Sequence, residues 1–543
     1  MVVGTVRRQL FSVHSRPRSQ LLEPFQARGP KHANALLERL RRPPMTLLVK
    51  GRPPLAVGRH PGRVECLRDG ADQGIARPNA QLSNPYHDGL HSLMFGAPVA
   101  ISVPACLNIV RLRWGFCVVE PDRVFAKCAW RLIPFMTLLY IVGFIDRSNV
   151  GFAALTMNRD MKFSALVFGL GAGMFFLGYI IFQIPTAVLV ARLGARRVIF
   201  CVMLVWGLVS ASNAFMRGAH SFYMLRFLLG LAEGGFTPSM IYYLTVWFPQ
   251  TYRGRFTAIF CSAIPIAGIV SGPLSGLILE MDGIAQLHGW QWLFLIQGLP
   301  AVLLAFVTLV YLPDGPAQAR WLDDAERSAI AASMAAGTPL PERSVGRALC
   351  DPRLLLLGLA NLGSGCALYG ITLWLPQIIQ AMGFSNHATG FVAALPYVVS
   401  MAAMIAWARL SDARSERIWH TALTMLLAAA ALAVSSLTAN YLLILVCLTL
   451  AMAGGLAGIG PFQSLLTSFS RGAAAAGGLA LVNIIGALGG FFGPVIVGML
   501  KGWTGGYGLA MTALGVGQLL SALIVLAAGR MMKPHQQAAT PQL

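Results

Sequence analysis

Four ionisable side chains stand in stretches that are otherwise apolar. Asp146 and Arg147 are adjacent in "YIVGFIDRSNVGFAAL", and Arg226 and Glu233 flank "FLLGLA" in "MLRFLLGLAEGGFTPSM". Such a group inside a membrane is costly, and by default it marks a substrate pathway, a proton relay or a ligand site. Seven residues are close to two helical turns, so Arg226 and Glu233 share one stripe, the carboxylate two turns deeper than the cation. Burial disfavours the charged form of a carboxylate, so a carboxylate facing a poorly hydrated cavity can carry a proton. A guanidinium keeps its proton and binds carboxylates bidentately. Together these groups suggest a cavity for an organic anion and protons. For Asp146 and Arg147 alone, an internal salt bridge that only holds their helix in place is the rival reading. Paired structural charges are the rival for all four.

Neutral polar groups extend the pattern. Tyr179 and Gln183 are four apart in "FFLGYIIFQIPTAV", hence on one helix face, with Pro185 nearby to bend it. Tyr369, Trp374 and Gln377 lie in "YGITLWLPQII", Gln463 and Ser464 in "GPFQSLLTS", and Asn483 in "ALVNIIGALGGFFGP". The small residues Gly486, Gly489, Gly490 and Gly493 permit close helix contact. Plain packing accounts for Tyr179, Gln183, Tyr369 and Trp374 as readily as substrate contact does.

The elements that must position these residues follow from composition. The 543-residue chain is 56% hydrophobic and only 12% charged, with a mean hydropathy of +0.64; soluble domains are about 25% charged. About 20 apolar residues cross the hydrocarbon core. Candidate spans are 131–155, 166–190, 198–215, 221–247, 256–279 and 291–312, then 354–380, 389–409, 419–436, 441–467, 475–500 and 507–529. The expected fold is therefore an all-α membrane protein of 12 transmembrane helices, arranged as two six-helix bundles. The N-terminal bundle covers 123–313, a connector 314–352, the C-terminal bundle 353–530 and a short tail 531–543. A substrate site in such a protein lies near the midplane between the halves, which rock against one another.

Residues 1–122 are rich in Arg and Pro, show no sustained period and read as disordered. They lack the order of a secretory signal. Much of this segment is expected to lie outside the working protein, a start codon called too far upstream being one origin. The formal charge is +21, and residues 1–127 hold 19 Lys and Arg against 8 Asp and Glu. The basic residues are scattered rather than grouped on one face, which argues against nucleic-acid binding.

Orientation follows the Lys and Arg of the short loops. On one side stand Arg192, Arg196, Arg197, Arg253, Arg255, Arg320, Arg327, Arg343, Arg347, Arg353, Arg409, Arg414, Arg417, Arg471, Arg530 and Lys533, and on the other Arg159, Lys162, Arg217 and Lys501, 16 against 4. Both termini and the connector are expected to be cytoplasmic, in a multi-pass inner-membrane protein read as a monomer in the lipid bilayer. The nine Cys form no C-x-x-C pair; Cys201, Cys261, Cys366 and Cys447 read as small buried thiols. No metal or cofactor site is expected.

In combination, "RLIPFMTLLYIVGFIDRSNVGFAAL", "RFLLGLAEGGFTPSMIYYLTVWFP", "GWQWLFLIQGLPAVLL", "YLPDGP" and "LVNIIGALGGFFGP" resemble the major facilitator superfamily over about 125–530. Within it they resemble the anion:cation symporters, which include bacterial tartrate, phthalate, galactonate and glucarate permeases and the vesicular glutamate transporters and sialin of animals. The resemblance implies that Asp146 is a first protonation site and Arg147 the substrate-carboxylate anchor. It implies that Glu233 is the second, substrate-coupled carboxylate, with Arg226 as its partner. Tyr179 and Asn483 match positions that touch substrate. Arg192, Arg196, Arg409 and Asp412 fall in the loops that gate such proteins. Three positions depart from the family pattern: Ala191 replaces an acidic residue before "RLGARR", Gln297 stands where many relatives have Glu, and Gln463 where many have Trp.

The expected function is proton-coupled import of an organic carboxylate such as a sugar acid, a tartrate-like acid or an aromatic acid. An exporter of a drug or metabolite is the alternative within transport. A membrane enzyme would need a clustered nucleophile or metal ligands, and His288, His387 and His420 stand singly. A sensor or scaffold would use the basic tail as a binding arm.

Overall fold

The computed structural model describes residues 123–335, 351–469 and 473–531. The N-terminal segment, Arg343, Arg347 and Arg471 lie outside the described residues. Sixteen α-helices and no strand are present among the described residues. In chain order they are α1 Arg123–Asp160, α2 Ala165–Leu193, α3 Ala195–Ser212, α4 Ala219–Glu233, α5 Phe236–Trp247, α6 Gln250–Cys261, α7 Ala263–Leu279, α8 Gly289–Tyr311 and α9 Asp324–Ala335. After the connector come α10 Pro352–Ala381, α11 Asn386–Arg414, α12 Ile418–Leu437, α13 Tyr441–Ala457, α14 Ile459–Phe469, α15 Ala473–Thr504 and α16 Gly508–Arg530.

Eleven segments of the described residues are long and apolar enough to cross a membrane. The expected fourth span supplies the twelfth crossing in two pieces, because Gly234 and Gly235 separate α4 from α5. Both glycines keep right-handed helical backbone angles, and their lack of a side chain has a packing cause: a Cβ on Gly234 would lie 2.4 Å from the carbonyl oxygen of Tyr179, and one on Gly235 2.7 Å from Thr186 Oγ1. The chain is pressed here against the backbone of α2. The same holds one and two turns earlier, where a Cβ on Gly230 would meet the Phe175 carbonyl and a Cβ on Gly178 the Phe227 carbonyl. The fifth and tenth spans are also built from two helices each, α6 with α7 and α13 with α14.

Helix ends carry their expected caps. Ser164, Ser385 and Asn440 accept from the backbone N–H groups of Val167, Ala388 and Leu443. The outer faces are apolar and bare: Val310 is 90% and Leu437 88% exposed. In water such surfaces would aggregate, and in a bilayer lipid covers them. Cys366 and Cys447 are buried as expected, but Cys201 is exposed on α3, because its helix face points away from the packed side.

The two halves meet along three seams, α1 with α10, α2 with α15 and α7 with α11. Contacts gather toward the end where α1 finishes and α2 begins. There a Cβ on Gly169 would lie 2.6 Å from the Pro494 carbonyl, one on Gly272 2.4 Å from the Gly390 carbonyl and one on Gly151 2.9 Å from the Leu373 carbonyl. Phe168 sets its ring edge-on to Trp374 at 4.9 Å. Asn158 Nδ2 donates to Gln377 Oε1 at 3.3 Å. These contacts seal one end of the space between the halves.

Two predictions follow from the glycine contacts. Gly230→Leu forces α2 and α4 apart and lowers stability by about 1–3 kcal/mol or more, read as a lower thermal midpoint in detergent. Gly272→Leu instead wedges the sealed end open. Over the native-cysteine background, Gln377→Cys in that variant gains reactivity to a membrane-impermeant maleimide; unchanged protection would refute the seal.

Candidate functional site

Asp146 and Arg147 are consecutive on α1, so their side chains leave the helix about 100° apart and meet different neighbours. Arg147 reaches α4: its Nε donates to Glu233 Oε1 at 3.1 Å, and its Nη2 donates to the same oxygen. Both residues are buried, and Glu233 Oε2 has no hydrogen-bond partner among the described residues. Aromatic rings complete the pocket around the cation. Arg147 lies over Phe144 at 4.8 Å, Tyr179 at 5.0 Å and Phe175 at 5.3 Å. Such rings stabilise a desolvated guanidinium through their quadrupoles.

Asp146 faces the interior of its own bundle, against α3. It accepts from Asn149 Nδ2 at 2.7 Å, from Trp206 Nε1 at 2.5 Å and from the Ser210 hydroxyl. It is fully buried. The two neighbours in sequence therefore form no salt bridge with each other; the ion pair runs between helices. Trp206 and Ser210 were not singled out from the sequence, although their spacing of four residues places a donor pair on one face of α3.

Arg226 is the least expected member. It does not take the Glu233 carboxylate. It is fully buried, and its Nε, Nη1 and Nη2 have no hydrogen-bond partner among the described residues. Phe175 lies under it at 5.1 Å, and its charged neighbours are Asp146, Glu233 and Arg147. Phe175 is thus shared by both arginines. These four are the buried Asp, Glu, Arg and Lys side chains of the described residues, and their formal charges cancel.

The neutral candidates spread over three regions. Tyr179 donates to Thr237 Oγ1 at 3.3 Å and stays at the arginine pocket. Tyr369, from the C-terminal half, packs its ring against Phe176 at 4.4 Å, tilted by 58°, and interacts electrostatically with Arg147. Gln183 is partly exposed further along α2. Gln463 Nε2 donates to Asn483 Oδ1 at 3.4 Å, which places these two together on the C-terminal half, with Asn483 exposed. Trp374 belongs to the seal: it is fully buried, and its Nε1 donates to the Pro494 carbonyl at 3.1 Å. The four residues expected in gating loops lie instead at helix ends: Arg192 and Arg409 are exposed near the ends of α2 and α11, Arg196 in the first turn of α3 donates to the Leu309 carbonyl and lies 4.0 Å from Asp314, and Asp412 near the end of α11 pairs with Arg417 at 2.7 Å. No group of three or more potential metal ligands occurs among the described residues.

The family model of the Major Facilitator Superfamily matches residues 136–494. The chain belongs to the major facilitator superfamily. Among members of this superfamily, the chain is 43% identical to a "Putative tartrate transporter" of Agrobacterium vitis over 411 residues, 75% of this chain and 92% of that protein. It is 38% identical to the "Quinolone resistance transporter" of Acinetobacter baumannii over 406 residues, 74% of this chain and 94% of that one. Among solved structures, a bacterial homologue of the human lysosomal transporter Spinster, in an inward-facing and occupied conformation, superposes with a TM-score of 0.63 at 17% identity, covering 74% of this chain and 97% of that one. A superfamily fold with these relatives makes the chain a multi-pass membrane transporter and not an enzyme.

Trp206→Phe deletes one donor to the buried Asp146 carboxylate while keeping the aromatic packing. The expected cost is about 1.5–3 kcal/mol, as for a hydrogen bond to a charged group, and it is measured as a lower thermal midpoint in detergent.

Proposed function

We propose that this transporter is a symporter that imports a small organic carboxylate together with protons. The observation that carries the reading is the buried Arg147–Glu233 pair, set beside a second guanidinium, Arg226, with no hydrogen-bond partner among the described residues. An incoming carboxylate has the geometry to take the fork of Arg147. Doing so displaces Glu233, and an uncompensated carboxylate in that apolar pocket is costly. The four buried charges cancel, so a bound substrate anion leaves one negative charge in excess. A proton on Glu233 or Asp146 removes it. Substrate and proton are then coupled by charge balance rather than by direct contact.

The names of the tartrate-transporter relatives support an organic acid as cargo. With the Arg- and Lys-rich loops placed in the cytoplasm, the sealed end faces outward, and the conformation is the one from which cargo leaves to the cell. Tyr179 and Tyr369 line the arginine pocket in this reading, Gln463 and Asn483 line the vestibule of the C-terminal half, and the protein works as a monomer. The second reading, export of a drug-like molecule, is favoured by the quinolone-resistance relative.

Uptake into proteoliposomes with an imposed inward proton gradient tests the first reading. A labelled panel of tartrate, galactonate, glucarate, phthalate, 4-hydroxyphenylacetate and nicotinate is expected to include one acid that accumulates and is lost with a protonophore. Arg147→Ala abolishes this uptake. Glu233→Gln retains counterflow exchange but loses accumulation against a gradient, and a variant that still accumulates would refute the coupling role. Raised quinolone tolerance in an efflux-deficient host, with no acid uptake, would select the export reading.

A further inference from the structure

We propose that the Arg- and Lys-bearing start of α1, with the end of α8 and the start of the connector, forms a headgroup site for an anionic phospholipid. The site is a shallow, open groove of about 490 Å³ lined by Lys127, Trp130, Arg131, Tyr311 and Trp321. Lys127 and Arg131 are four residues apart and share one face of α1. Arg131 is exposed and lies over the Trp321 ring at 5.3 Å. Its guanidinium has no protein hydrogen-bond acceptor among the described residues. Trp321 is fixed from behind by Trp247, stacked at 5.6 Å with 9° between the planes. Tyr311 donates to the Arg131 carbonyl at 2.8 Å, which ties the end of α8 to the wall of the groove.

Two further observations select a lipid over a free anion. Trp130 is 75% exposed beside the two cations, the position an amphipathic ring takes where one side is apolar and the other wet. From the groove an exposed apolar strip runs up α8 through Val310, Val307, Phe306 and Leu303. A phosphodiester held by Arg131 and Lys127 would have its acyl chains along that strip, and basic pockets at helix ends bind anionic headgroups in this manner.

The site already contains its competitor. Lys127 Nζ contacts both carboxylate oxygens of Glu326 at 2.8 Å, clasping α9 to α1. Lys127 holds the Glu326 carboxyl below the usual carboxylate range, so the clasp is fully present above that range and is lost as pH falls to the lowered value beneath it. A lipid phosphate beside Arg131 competes with Glu326 for the same ammonium. Headgroup binding and the clasp are therefore mutually weakening.

The test is a titration of the purified full-length protein with phosphatidylglycerol, read by native mass spectrometry of its tightest lipid adduct, with phosphatidylcholine and inorganic phosphate as parallel arms. Phosphatidylglycerol is expected to bind saturably and phosphatidylcholine not to. Arg131→Gln and Lys127→Gln each weaken the adduct ~5-fold, whereas Glu326→Gln, which frees Lys127, strengthens it. A purely structural role for the clasp predicts no gain in Glu326→Gln. The proposal is overturned if the Lys127→Gln/Arg131→Gln protein binds phosphatidylglycerol as tightly as the wild type, if Glu326→Gln weakens binding, or if inorganic phosphate displaces the lipid at equal concentration.

Discussion

An arginine and a glutamate that leave water together impose their terms on everything around them. Separating either from the other in an apolar medium costs several kcal/mol, so α1 and α4 have to meet at Arg147 and Glu233 and nowhere else. That requirement explains why α4 is pressed against α2 through Gly178, Gly230 and Gly234 without intervening side chains. A bulkier residue at any of these points would move the Glu233 end of α4 away from α1. Gly234 and Gly235 follow immediately after Glu233, so the carboxylate sits at the end of α4 where the backbone lies against α2.

The division of labour between the halves follows from the same pair. The buried charges of the described residues lie in the N-terminal bundle, while the C-terminal bundle contributes Tyr369, Gln463 and Asn483. A rocking motion then leaves the ion pair within one rigid half and changes only what faces it. Phe175, lying between Arg147 and Arg226, holds two like charges at one ring. This is tolerable only because Glu233 and Asp146 neutralise them from either side.

Much of this was legible from the chain. Hydropathy and span length gave the bundle, and the expense of burying charge singled out Asp146, Arg147, Arg226 and Glu233. What spacing could not supply was the choice of partner. Periodicity says which residues share a face but not which helix that face meets, and the partnership of Glu233 with Arg226, which the family resemblance implies, gives way in the structure to Arg147 across the gap. Trp206 and Ser210 escaped notice for a related reason: a tryptophan and a serine in an apolar helix look like packing until a carboxylate is known to point at them. For Trp374 spacing leaves packing and substrate contact equally open, and the structure shows packing: its indole donates to the Pro494 carbonyl inside the seal. The interruption of the fourth span left only two adjacent glycines as a trace, and glycine pairs in membrane helices are usually compatible with an unbroken helix.

The seam between the halves has a mechanical consequence. Gly151, Gly169 and Gly272 rest on opposing backbones, and rings such as Phe176 and Tyr397 pack onto Gly490 and Gly268 beside them, so the attraction along the seam is mainly dispersive and short-ranged. Few directional bonds cross it, among them Asn158 to Gln377 and Gln380 to the Leu155 carbonyl. Opening such a joint resembles lifting one tile from another more than unbuttoning a row of clasps. A closure of this kind lets a ligand decide which way the molecule faces once its difference in affinity between the two states exceeds the free-energy gap between them.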